Sequence, residues 1–187
     1  MISRYLLAGA AALAVAATAQ AQPMPPPAPP MPMAPGMPMP MHDGMTMDFV
    51  TKAAQSDEFE RREGRLAERK ASNPAVRHFG AHMVMAHTQT TRDLKMAIHA
   101  AGMAAPPPPM LTDDQMHMMG DLAHKQGADF DRAYMDQQIQ AHQDALQLMQ
   151  NYGANGHPGP IKDAANKTAP LVQQHLDMAK HIRAQLS

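Results

Sequence analysis

Cysteine is absent from this 187-residue chain. Its absence excludes disulfides, thiolate metal sites, cysteine nucleophiles and a lipid-modified N-terminal cysteine together. Tryptophan is missing as well, and four Phe and three Tyr are the whole aromatic complement. That is too little for a base-stacking or sugar-stacking surface. Neither sign of charge dominates: 16 Lys and Arg stand against 17 Asp and Glu, interspersed, for a net charge of −1. No electrostatic footprint for nucleic acid or anionic lipid follows from such a balance. No stretch shows the period-two alternation of strands either.

What is present begins with an export signal. Arg4 supplies the positive start, Leu6 to Ala17 an apolar run, and Ala19-Gln20-Ala21 a small-x-small cleavage pattern. Residues 1–21 are therefore expected to be a signal peptide. An apolar run of about a dozen residues falls short of the roughly 20 needed for a stable span. The expectation is a periplasmic or secreted protein without a transmembrane anchor after signal cleavage, with envelope association left open.

From Gln22 to Thr46 proline alternates with methionine. This composition cannot build a core and favours extended, polyproline-like conformations, so residues 22–46 are expected to be a disordered linker. Its methionines, from Met24 on to Met47 just beyond, together with His42 are soft donors of the kind that suits Cu(I). Methionine also serves simply as the apolar residue of a Pro-rich spacer, and the composition leaves both readings open. Residues 47–187, about 140 positions, suffice for one domain with one core.

In that region apolar residues recur at helical spacing, and Gly and Pro fall only at joints. A first helix is expected from about Asp48 to Ala71. Asn73-Pro74 then provides an N-cap with proline at the first helical position, so a second helix follows almost without a loop, to about Ala101. Gly102 and Pro106 to Pro109 end it. Thr112-Asp113-Asp114-Gln115 has the form of a capping box opening a crossover segment over 112–126. A third main helix is expected over Phe130 to Gln150, and a fourth from Ile161 to Leu186 with a kink near Ala169, where Pro170 removes a backbone donor.

Each main helix carries a polar residue on its apolar stripe, where burial without a partner costs several kcal/mol. Glu60 shares a face with Phe49, Ala53, Gly64 and Ala67, and His87 with Val76, Gly80, Met83, Leu94 and Ile98. His142 shares one with Met135, Ile139, Leu146 and Met149, and His175 with Leu171, Val172, Met178, Ala179 and Ile182. Counted from the joints, Glu60 and His87 lie at one depth in the first hairpin, and His142 and His175 at one depth in the second. The connection from Gly102 to Gly127 is long enough to return along the bundle, which makes the second and third main helices parallel and brings all four groups into one layer.

Glu and His drawn from separate bundle helices are the usual ligands of metals in such cores. The expected cofactor is one transition-metal ion, Fe, Zn, Mn or Cu, held by Glu60, His87, His142 and His175. The competing account is a buried Glu-His ion pair with two further imidazoles that fixes helix register. His78 and His82, spaced i,i+4, fall on the face opposite His87 and are expected to be solvated. Asp131 and Tyr134 are candidate hydrogen-bonding supports of the layer, although Asp131 equally suits a helix start.

The run AAQSDEFERREGRLAERKASNPAVRHFGAHMVMAH, followed by FDRAYMDQQIQAH and APLVQQHLDMA, resembles the domain-of-unknown-function family 4142 over residues 47 to 186. The resemblance implies an all-α, ferritin-like four-helix bundle with a helical crossover between its second and third main helices. It places the family's recurring glutamate on Glu60 and its histidines on His87, His142 and His175. There are departures. Ala86 stands where the family has an acid beside His87, and Ser56-Asp57 replaces a pair of small residues. Val84 and Val172 occupy the positions three before His87 and His175. The Glu-x-x-His pairs of a di-iron ferroxidase are thus absent. The second half is also similar to a periplasmic family associated with copper handling. Neither resemblance supplies an activity, so a metal-binding module, an enzyme with an open coordination position, and an envelope structural or copper-handling protein acting through its arm all remain to be separated.

Overall fold

The computed structural model describes residues 44–186, which form five α-helices and no strand. They are α1 (Gly44–Lys70), α2 (Pro74–Ala100), α3 (Asp113–His124), α4 (Gly127–Asn155) and α5 (Pro160–Ala184). The signal peptide and nearly all of the Met/Pro-rich arm lie outside the described residues. No helix among them is long and apolar enough to cross a membrane.

Helix α1 starts at Gly44, about one turn before the expected Asp48. The cause lies at the far end of α4, where the Thr46 and Tyr152 hydroxyls are hydrogen-bonded at 2.9 Å. The Phe49 ring also stacks on Tyr152 with centroids 4.1 Å apart. Met45 and Met47, which composition groups with the arm, therefore belong to the helix.

The α1–α2 hairpin is as tight as Asn73-Pro74 requires. The Asn73 side chain accepts from the Ala75 amide at 2.8 Å and caps α2. Asp131 of α4 reaches over this turn and accepts from the amides of Ser72 (3.0 Å) and Asn73 (2.8 Å) and from the Ser72 hydroxyl. Its role is to tie the hairpin to α4. Gly102, at φ +70°, provides the left-handed residue that ends α2. An extended Pro-rich connection leads to α3, whose Thr112/Gln115 capping box forms as expected. Helix α4 runs past Gln150 to Asn155, and α5 is continuous through Pro170, which is exposed. A carbonyl that loses its amide partner on a solvated face can bond to water instead, so the helix need not end there.

The four long helices form a ring in which α1 packs on α2 and α4, and α5 on α2 and α4. Two apolar clusters fill it. One joins Phe49, Val50, Leu94, Ile98, Met149, Tyr152 and Ile161, and the other Ala67, Val76, Phe79, Met83, Phe130, Tyr134 and Ala179. The first takes residues from the C-terminal parts of α2 and α4, and the second from their N-terminal parts. Helices α2 and α4 therefore run parallel, as the long crossover implies, and every adjacent pair in the ring is antiparallel. This is the ferritin-like arrangement. Between the two clusters lies a layer that is not apolar.

Candidate metal centre

Four helices each send one polar group into that layer. Glu60 (1% exposed), His87 (4%), His142 (1%) and His175 (7%) are all buried. The close approach of α1 and α2 sets part of the geometry. A Cβ added to Gly64 would lie 2.6 Å from the Gly80 carbonyl oxygen, so the two backbones touch where neither has a side chain. Gly64 is one turn beyond Glu60 and Gly80 two turns before His87, and the contact holds their helices side by side at the layer.

The three imidazoles face one another. Ring centroids are 5.7 Å apart for His87–His142, 5.7 Å for His87–His175 and 5.5 Å for His142–His175. One nitrogen from each lies within 4.8 Å of the other two. Glu60 stands beside this group but outside it: the converging donors are the three histidines, and Glu60 Oε1 lies 3.8 Å from His142 Nδ1, the nitrogen that also meets the Gln138 carbonyl.

Hydrogen bonds fix which nitrogens face inward. His87 Nδ1 is 2.9 Å from Asp57 Oδ1, and His142 Nδ1 is 2.9 Å from the Gln138 carbonyl oxygen. With those nitrogens donating, His87 Nε2 and His142 Nε2 are left as free acceptors. Both are buried without a hydrogen-bond partner, as are His175 Nδ1 and both carboxylate oxygens of Glu60. Among the described residues, half of the ten buried side-chain atoms without a partner belong to these four groups, and a buried polar group left unsatisfied calls for a ligand, a water or strain to explain it.

The electrostatics divide the rings. Burial pushes the His175 imidazole down to about 3, helped by the adjacent His87, His142 and His82. Burial also lowers His142, against the pull of Glu60. For His87 burial is outweighed by the hydrogen bond to Asp57 and the charges of Glu60 and Asp57, so its pKa is raised. His142 and His175 are thereby neutral near pH 7 and hold their lone pairs ready. His87 is the one of the three rings whose affinity for a second proton is increased rather than reduced. One turn further along α1, Glu63 is wholly buried and its carboxyl is raised well above the usual range by burial and by Glu60, despite a 3.0 Å hydrogen bond from Gln138.

The family model described as Domain of unknown function (DUF4142) matches residues 31–182. The chain belongs to the DUF4142 family. Its fold is similar to the crystal structure of a DUF305 protein from Streptomyces coelicolor, inferred to be secreted. That likeness has a TM-score of 0.61 at 11% identity and covers 73% of this chain and 90% of the other. No curated protein matches the chain.

Within this DUF4142 chain an acid reaches His87 from across the hairpin. Asp57 bonds the His87 ring and accepts from the hydroxyls of Thr90 (2.7 Å) and Thr91 (2.9 Å). The sequence reading passed over it, although Ala53, Asp57, Glu60 and Gly64 follow one another at helical spacing and all are buried. Glu63 was missed on the same face, between Glu60 and Ala67. Tyr134 is buried with its hydroxyl unpartnered, beside Phe79 and Phe130. On α5 the stripe is turned by one position. Leu171 (40% exposed) and Met178 (38%) face outward, and Leu176 (3%) takes their place in the core. His78 and His82 are exposed as expected. His82 nevertheless lies against the site, its ring edge-on to His175 at 5.2 Å between centroids.

Proposed function

We propose that this DUF4142 protein is an exported metal-binding module that holds one transition-metal ion in the bundle core. His87 Nε2, His142 Nε2 and His175 Nδ1 supply three donors, and Glu60 supplies the fourth. The observation that carries this reading is the set of five buried, unpartnered donor atoms in a single layer. A tetrahedral ion bound at about 2.1 Å spaces its nitrogen donors about 3.4 Å apart. Nitrogens already within 4.8 Å of one another reach that spacing by small ring rotations. Asp57 and the Gln138 carbonyl are the outer partners that fix the tautomer and orientation of two ligands.

The donor set, neutral imidazole with one carboxylate, suits Fe, Mn, Zn or Cu(II). Burial of all four groups to 7% exposure or less favours a held ion over turnover on an external substrate. Export is supported by the signal-like start, and the Streptomyces coelicolor relative is itself inferred to be secreted. The test is elemental analysis of the untagged mature chain. Stoichiometric metal that disappears in His142→Ala supports the site, and full retention in that variant refutes it.

A second reading is favoured by the exposed thioethers. Met85 (67%), Met96 (62%), Met110 (78%) and Met116 (53%) are exposed, and the sequence before the bundle is itself rich in methionine. In that reading the protein handles Cu(I) through its methionines, and the buried layer only fixes helix register. Loss of copper tolerance on deleting residues 23–47, with His142→Ala silent, would select it.

A further inference from the structure

An ion bound in the layer has to pass the wall of the bundle. His175 is the most exposed of the three rings, at 7%, and the side chain that meets it from outside is His82. His82 is exposed and lines an open groove of about 600 Å³ between α2 and α5, together with His78, Asp177, Met178 and His181. Phe79 forms part of the same groove, and its ring is 6.3 Å from that of His142. Two side chains that line the groove, His82 and Phe79, thus make ring contacts with two of the three buried imidazoles.

Its donors come as two i,i+4 pairs, His78/His82 on α2 and Asp177/His181 on α5. That spacing sets Cβ atoms about 5–6 Å apart on one helix face, where two side chains can grip one ion. Met178 adds a thioether, and no Lys or Arg lines the groove to repel a cation. The donors are not gathered around one point: His181 Nε2 is hydrogen-bonded to Gln185 at 2.9 Å, and the converging histidines among the described residues are those of the core. Such an open arrangement captures an ion weakly and releases it, which is what a transfer step requires.

We infer that His78, His82, Asp177 and His181 form a surface loading site for a divalent transition-metal ion, which passes through His82 to His175 and so into the core. The inference rests on the metal reading of the buried layer. Only coordinate bonds are exchanged along the route, one imidazole replacing another, and the ion keeps its oxidation state.

The experiment uses Zn²⁺ as the probe on the untagged mature chain, with loading followed by stopped-flow transfer from a chromogenic chelator. In His78→Ala/His82→Ala the final occupancy of the tight site should equal that of the native chain, and the loading rate should fall about tenfold, the lower end of what a guiding cleft contributes. His142→Ala should lose the tight ion and keep a weaker one, and adding the two surface substitutions should remove that one too. Native loading rates in the surface variant, or no weak Zn²⁺ in His142→Ala, would overturn the loading site. A native chain that takes up no tight ion would instead defeat the buried site, and the weak ion of His142→Ala would still decide the surface one. Both surface residues are exposed, so circular dichroism melts of the variants should match the native chain.

Discussion

Asp57 and His87, thirty residues apart on facing helices, are joined by a 2.9 Å contact from carboxylate oxygen to Nδ1. Because that contact holds the proton on Nδ1, it aims Nε2 into the layer. Two threonine hydroxyls from α2 hold the carboxylate in turn. In Asp57→Asn the shape is kept and the ionised acceptor lost. Metal affinity should fall about 10- to 100-fold, the usual cost of removing such an outer partner. Competition titration against a chelator of known affinity checks it, and unchanged affinity would mean that His87 is not a ligand.

Glu63→Gln tests the neutral acid next to the layer. The folded-state pKa is raised well above 4.5, so at pH values above 4.5 the unfolded chain loses a proton that the folded chain keeps. The native residue therefore contributes stability that is fully present below about pH 4.5 and lost as pH rises towards the folded pKa. Glutamine retains the hydrogen bond to Gln138 without that dependence. The variant should be more stable than the native protein near neutral pH, and the gain should shrink as the pH falls and vanish near pH 4.5. Urea denaturation of the metal-free protein at several pH values measures the difference.

Gly64→Ala tests how helix spacing supports the site. The added methyl would lie 2.6 Å from the Gly80 carbonyl oxygen and 2.9 Å from Val84 Cγ2, and backbone cannot yield as a side-chain tip can. Overpacking of this kind costs about 1–3 kcal/mol. Thermal melts should show the loss. Weaker metal binding should accompany it, since parting α1 from α2 stretches the Asp57–His87 contact.

The fold and the layer were legible because both follow from counting. Apolar residues at helical spacing gave the faces, the turns at Asn73 and Gly159 gave the depths, and the length of the 102–127 connection implied that α2 and α4 run parallel. What counting could not show depends on partners far along the chain. Asp131 reads as a helix start, yet it caps a turn nearly sixty residues earlier. On α5 the residues 171 and 172 are both three or four positions from His175, so spacing alone could not decide which faces the core. Asp57, Glu60 and Glu63 all lie within one strongly charged run, DEFERRE, and all turn inward, but the spacing from the apolar stripe singled out only Glu60.

In the proposed function one ion is shared by imidazoles from α2, α4 and α5 and the carboxylate of α1. X-ray absorption spectroscopy at the metal edge, on the untagged mature chain after its metal content has been counted, tests it most directly. About one ion per chain is expected, with three imidazoles in its shell at about 2.0–2.1 Å and one oxygen donor. A shell of sulfur donors, or a metal-free chain that binds none when supplied, would contradict it.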